Sequence, residues 1–207
     1  KRELQVDADE LFRESEVKVD LDRGLFSAIP AQYEEALGRE LVARGSRLSA
    51  ADAEKAVGHF QRAIELYQRA GNFRERILHL IPRYALLLHR SGGNSEEALG
   101  MITNSLLESR ERGLRRNVIE AQLARGEILA ALGREDEAVK DFEEGLKKLE
   151  DYTVEFGAQA PASRALTSRS ESAYRALATI RAKNNSPEQT LALLSRLELV
   201  KAQSSVA

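Results

Sequence analysis

The sequence has no cysteine and no tryptophan, a single methionine and four prolines, and only 5% of its residues are aromatic. The missing cysteines exclude disulfides, thiolate nucleophiles and cysteine-based zinc sites together, and they suit a reducing compartment, so a cytoplasmic setting is expected. An excess of one charge is lacking too: 31 basic residues stand against 33 acidic ones, a net of −2, interleaved along the chain. No broad field draws such a chain to a phosphate backbone or an anionic lipid surface, so neither nucleic acid nor membrane is an expected partner. No apolar run approaches the roughly 18 residues that a membrane-spanning helix needs. The first stretch, KRELQVDADELFRESEVKVD, lacks the apolar centre of a signal peptide. The chain opens on Lys1 rather than methionine, so a longer native protein is expected.

What is present is a helical pattern. At 207 residues, 43% hydrophobic and 31% charged, the chain can bury the core of one or two domains and still carry a polar surface. In ALGREDEAVKDFEEGLKKLE, residues 131–150, the positions Ala138, Phe142, Gly145 and Leu149 advance by four, three and four, which puts them on one helical stripe. Small residues on that stripe let a neighbouring helix come close. The stripe recurs as Ala56, Phe60 and Ala63, as Ala98, Ile102 and Ser105, and more weakly as Thr190, Leu194 and Leu197. Its origins are spaced by 42, 40 and 52 residues, too far for one helix per copy, so each copy is read as a helix pair.

The first helix of each pair is legible just upstream, in PAQYEEALGRELVARG, ILHLIPRYALLLHRSG, NVIEAQLARGEILAALG and SESAYRALATIRAKN. Start and stop signals bound them: Ser49 with Asp52, Asn94 with Glu97, and Ser186 with Pro187 and Gln189 at helix starts, and Gly71, Gly113 and Gly133 at helix ends. The turns are short, so the helices should be antiparallel, in pairs at about 25–71, 73–113, 114–157 and 162–204. Pro82 lies within a first helix and is expected to kink or shift it. Residues 1–24 mix strand-like SEVKVDL with helix-like DADELFRES and are left as an amino-terminal extension.

This arrangement resembles the tetratricopeptide repeat, through Leu37-Gly38, Ala56 with Phe60, Ala138 with Phe142, Tyr174 followed by Leu177-Ala178, and Gly126 and Gly133. The spacing of 40 or more exceeds the family's usual 34 residues, and Thr190 stands where alanine is usual, so the units look like expanded forms of the repeat. The resemblance covers residues 25–204 and implies an all-α fold of antiparallel helix pairs stacked into a right-handed superhelical solenoid. The last pair, with EQTLALLSRLELVKAQSS, is also similar to the repeat that precedes caspase-like CHAT peptidase domains in bacterial multidomain proteins. That likeness implies a regulatory arm whose catalytic part lies elsewhere.

No catalytic constellation is evident. The three histidines, His59, His79 and His89, have no metal-ligand spacing, and carboxylates such as Glu143 and Glu144 stand four residues from Lys147 and Lys148, as on a solvated face. The one dense basic stretch, SRERGLRR at 109–116, sits at a turn and is weighed as a phosphate site against an ordinary charged turn. Neither enzyme activity, a metal nor a cofactor is expected. The expected function is a protein-interaction module or scaffold that takes a peptide or protein segment in a concave groove lined by first helices. The alternative is a regulatory sensor controlling an attached effector. The family's groove positions map to Glu35, Arg39, Arg83, Arg90, Gln122, Glu127, Arg175 and Lys183, a mixture suited to a polar or mildly acidic peptide. The asparagines Asn94 and Asn117 fall in or near turns, which disfavours the family's carboxylate clamp. In the last helix Leu191, Leu193, Leu194, Leu197, Leu199 and Val200 point nearly all around, so a second copy or a following domain is expected to pack there.

Overall fold

The structure is a computed structural model that describes residues 28–43, 49–157, 160–184 and 186–204. The extension read over residues 1–24 lies outside the described residues. Among the described residues every regular element is an α-helix: α1 (Ile29–Val42), α2 (Ala50–Ala70), α3 (Arg74–Arg90), α4 (Ser95–Glu111), α5 (Arg115–Ala131), α6 (Glu135–Phe156), α7 (Pro161–Lys183) and α8 (Pro187–Ser204). The closest helix packing joins neighbours in sequence, α1 with α2, α5 with α6 and α7 with α8. The chain divides into two compact units, Lys1–Leu80 and Ile81–Ala207. The division falls within α3, just before Pro82, whose missing N–H removes one rung of the helix ladder; the helix nonetheless continues to Arg90.

Capping chemistry sets the boundaries. Ser49 Oγ accepts from the Asp52 amide at 3.1 Å, and Asn94 Oδ1 accepts from the amides of Glu96 and Glu97 at 3.1 and 3.2 Å. Gly113 and Gly133 adopt φ of 69° and 76°, the left-handed region that ends a helix cheaply only at glycine. Each is followed within two residues by the next helix, so the turns are short. At the start of α8 the Ser186 hydroxyl instead donates back to the Asn184 carbonyl at 3.5 Å, while Pro187 takes the first helical position.

The small-residue stripes are where the helices meet. In the first unit Ala56, Phe60 and Ala63 are buried, and the Phe60 ring lies over Gly38, where an added methyl would stand 3.2 Å from the ring. The second unit repeats the device: Ala138 and Phe142 are fully buried, and a methyl on Gly126 would stand 2.7 Å from the Phe142 ring. Gly145 in turn admits Leu123, whose Cδ2 would be 2.9 Å from an added methyl. Real Cβ atoms essentially never come as close as at Gly126 and Gly145, and the contact at Gly38 is tighter than most, so these glycines let the helices approach. Ala98, Ile102 and Ser105 are also buried, in the core of the second unit. The fourth copy is looser: Leu197 is buried, but Leu194 is 42% exposed.

Candidate functional site

Within the second unit, carboxylates of α5 reach arginines one repeat away on either side. Glu120, 4% exposed, accepts from Arg169 Nη1 of α7 at 2.8 Å and from Arg116 Nε at 3.2 Å, and lies 3.9 Å from Arg83 Nε of α3. Seven residues further along α5, Glu127 accepts from Arg90 Nη2 at 2.6 Å and from the Ser172 hydroxyl at 2.5 Å. Two rungs result, Arg83–Glu120–Arg169 and Arg90–Glu127–Ser172. Both climb in the same direction along all three helices, so the second-unit part of α3, α5 and α7 run parallel as one layer with α5 in the middle.

The companion layer is tied in its own way. Arg110 of α4 and Lys148 each lie 3.4 Å from Glu144 of α6, and Arg196 of α8 donates to Glu150 of α6. Between the layers, Arg125 Nε and Nη2 grip Asp141 at 2.6 and 2.7 Å, and that hydrogen bonding raises the arginine's pKa against the effect of burial. Glu144 is held below its ordinary pKa chiefly by the hydrogen bond from Gln122 Nε2 at 2.7 Å, aided by Lys148 and Arg110.

The first unit has a rung of the same kind. Glu35, 1% exposed, accepts from Arg76 Nε and Nη2 at 2.7 and 2.5 Å and from the Tyr67 hydroxyl at 3.0 Å, and pairs with Arg39 at 2.5 Å. Burial works against the charge on Arg76, yet the hydrogen bonds and charge of Glu35 raise its pKa overall. Tyr67 is pushed up to about 12, first by burial and then by the neighbouring Glu35 charge. Beside it, Glu34 takes His59 Nδ1 at 2.6 Å and Arg62 at 3.4 Å.

The sequence-derived groove residues therefore separate into three sets. Arg83, Arg90 and Glu127 come together on the α3–α5–α7 layer. Glu35 and Gln122 lie inside, at 1% and 0% exposure, engaged by internal hydrogen bonds, and Arg39 serves Glu35. Lys183 reaches across to Glu135 of α6 at 2.9 Å, and the exposed Arg175 stands apart from the rungs. Glu120, Arg169 and Ser172 were not singled out from sequence, and Arg116 only as part of the basic stretch 109–116. Their signal is an acid and a base separated by about one repeat: 37 residues for Arg83 and Glu120, 49 for Glu120 and Arg169.

Among the described residues no group of three or more His, Cys, Asp or Glu side chains is placed to hold a metal, and no helix is long and apolar enough to cross a membrane. No protein-family model matches the chain, and no curated protein matches it. Among solved structures, the chain is similar to the crystal structure of BtubC (BKLC) from P. vanneervenii, at 14% identity and a TM-score of 0.35, over 89% of this chain and 92% of that one.

Proposed function

We propose that the helix pairs are expanded tetratricopeptide-like repeats, stacked within the second unit as a right-handed solenoid, and that the chain acts by binding a protein or peptide rather than by catalysis. The reading rests on the charge balance of the α3–α5–α7 layer. Arg83, Arg90, Arg116 and Arg169 are four cations against the two carboxylates Glu120 and Glu127, whereas the whole chain carries a small net negative charge. Guanidiniums held by neighbouring carboxylates are already oriented, which lowers the entropy lost when they meet a ligand. The partner that fits is an extended acidic segment, recognised by charge-assisted hydrogen bonds. The absence of cysteine suits action in the cytoplasm.

The test is capture of a fluorescent acidic peptide, read by anisotropy at two salt concentrations. Arg83→Glu with Arg90→Glu should abolish binding; each reversal faces a carboxylate, so the melting temperature should fall, while circular dichroism below the transition keeps a helical profile. Salt should weaken wild-type binding. Salt-independent binding, or full binding by the double variant, would remove this layer as the binding surface.

A further inference from the structure

The basic turn SRERGLRR, weighed from sequence as a phosphate site, borders a cavity of about 260 Å³ in the second unit. Ser109 and Arg110 come from the end of α4, Gly113 from the turn, Arg115, Val118 and Ile119 from the first turns of α5, and Lys148 and Asp151 from α6. We infer that this cavity is a binding site for a small apolar monocarboxylate, distinct from the α3–α5–α7 layer and independent of the function proposed for it.

Several independent features converge here. Ser109 is fully buried, and its hydroxyl has no hydrogen-bond partner within the fold, although a buried hydroxyl ordinarily takes one. The first turns of α5 border the same space, and no side chain caps the amides at that end. Arg110 and Lys148 supply charge that is only loosely engaged, since each lies 3.4 Å from the Glu144 carboxylate they share. Arg115 forms a fixed wall: Glu155 accepts from it at 2.6 Å, and its guanidinium stands 5.8 Å from the ring centres of both Tyr152 and Phe156.

The remaining lining selects among anions. Asp151 repels a dianion, which argues against phosphate, while buried Val118 and Ile119 offer an apolar wall to a hydrocarbon substituent. At about 260 Å³ the space lies below the ~300 Å³ at which drug-sized ligands begin. A single carboxylate on a short branched chain satisfies these constraints together.

The experiment is a titration of the ¹⁵N-labelled chain with 4-methylpentanoate, its neutral amide, inorganic phosphate and L-leucine, following backbone amide shifts. Saturable shifts centred on Gly113, Arg115 and Ile119 are expected for the carboxylate, with little response to the amide or to phosphate. Arg110→Gln with Lys148→Gln should weaken binding about tenfold or more, as the loss of charge-assisted hydrogen bonds implies. Ser109→Ala should also weaken binding, yet leave the melting temperature unchanged or raised, because the free protein gives that hydroxyl no partner. Tighter binding of L-leucine than of 4-methylpentanoate would identify a free amino acid, with its ammonium on Asp151; weaker binding would identify a simple carboxylic acid; both keep the site. Equal binding of the amide, preference for phosphate, no saturable shift, unchanged binding by the Arg110 and Lys148 variant, or a lower melting temperature for Ser109→Ala would each overturn the inference. Acidic-peptide capture by the same variants should be intact, which keeps the two surfaces distinguishable.

Discussion

Replacing Glu120 with glutamine should make the second unit less stable and its acidic-peptide binding tighter. The carboxylate is almost wholly buried and stands among three guanidiniums, at 2.8 Å from Arg169, 3.2 Å from Arg116 and 3.9 Å from Arg83. Breaking a fully buried ion pair costs about 3–5 kcal/mol. Here the arginine side chains are 35%, 34% and 19% exposed, so water recovers part of that loss. A net cost of about 2 kcal/mol follows, which in a chain of this size lowers the melting temperature by roughly 4–8 °C. Binding moves the other way, because four cations would face one carboxylate instead of two. One unit charge at about 8 Å and an effective dielectric near 20 is worth about 2 kcal/mol before screening, and at physiological salt a few-fold gain in affinity should survive. Urea unfolding and peptide anisotropy on the same samples read both effects. Unchanged stability would refute the energetic role given to Glu120. Binding that falls along with stability would refute the claim that excess charge, rather than the tether itself, drives capture.

Two further outcomes test the packing and the buried acid. Gly126→Ala, whose methyl would stand 2.7 Å from the Phe142 ring, should destabilise by about 1–2 kcal/mol once the ~1 kcal/mol helix-propensity gain is set against the overpacking; Gly100→Ala in α4, with nothing within 4 Å, should stabilise by up to about 1 kcal/mol, and urea midpoints that rise for both would refute the close approach. Tyr67, with its pKa raised from 10 to about 12, binds its proton more tightly folded than unfolded, so this contribution is present below pH 10 and is lost as pH rises through 12. Two pH units correspond to roughly 2–3 kcal/mol, and unfolding at pH 9.5 and 11.5 should show this extra loss in the wild type but not in Tyr67→Phe.

The helices and their meeting faces were legible because burial imposes a local code. Ala56, Phe60 and Ala63, or Ala138, Phe142 and Gly145, announce a contact face by size and helical spacing alone, and the structure buries them. The weak fourth copy was legible as weak: Thr190 stands for alanine, and the middle of the stripe, Leu194, stays exposed. The nearly all-round apolar character of the last helix is equally plain, since Leu191 and Leu199 remain 65% and 63% exposed while Leu197 is buried. Glu35 and Gln122 were mapped from the family's groove positions, and the structure holds both inside. What takes them inside is a partner far along the chain: Arg76 lies 41 residues from Glu35, and Glu144 lies 22 from Gln122. No local window contains both halves of such a bond.

That same long reach gives the rungs a role which apolar packing cannot fill. Faces built of alanine, glycine and leucine tolerate sliding, because small residues recur every three or four positions and one turn of slip finds similar neighbours. The charged rungs do not tolerate it. Moving α3 by one turn along α5 would carry Arg83 from Glu120 to Leu123 or Ala124, both buried and apolar, and would leave Glu120 buried with one cation fewer. Because Arg90 and Glu127 repeat the contact seven residues on, the same slip would break two rungs at once. Each broken rung costs some kcal/mol where the carboxylate is buried, far more than a rearranged alanine contact. The arginines can therefore present a fixed spacing to a partner because the carboxylates beneath them fix the register of the helices that carry them.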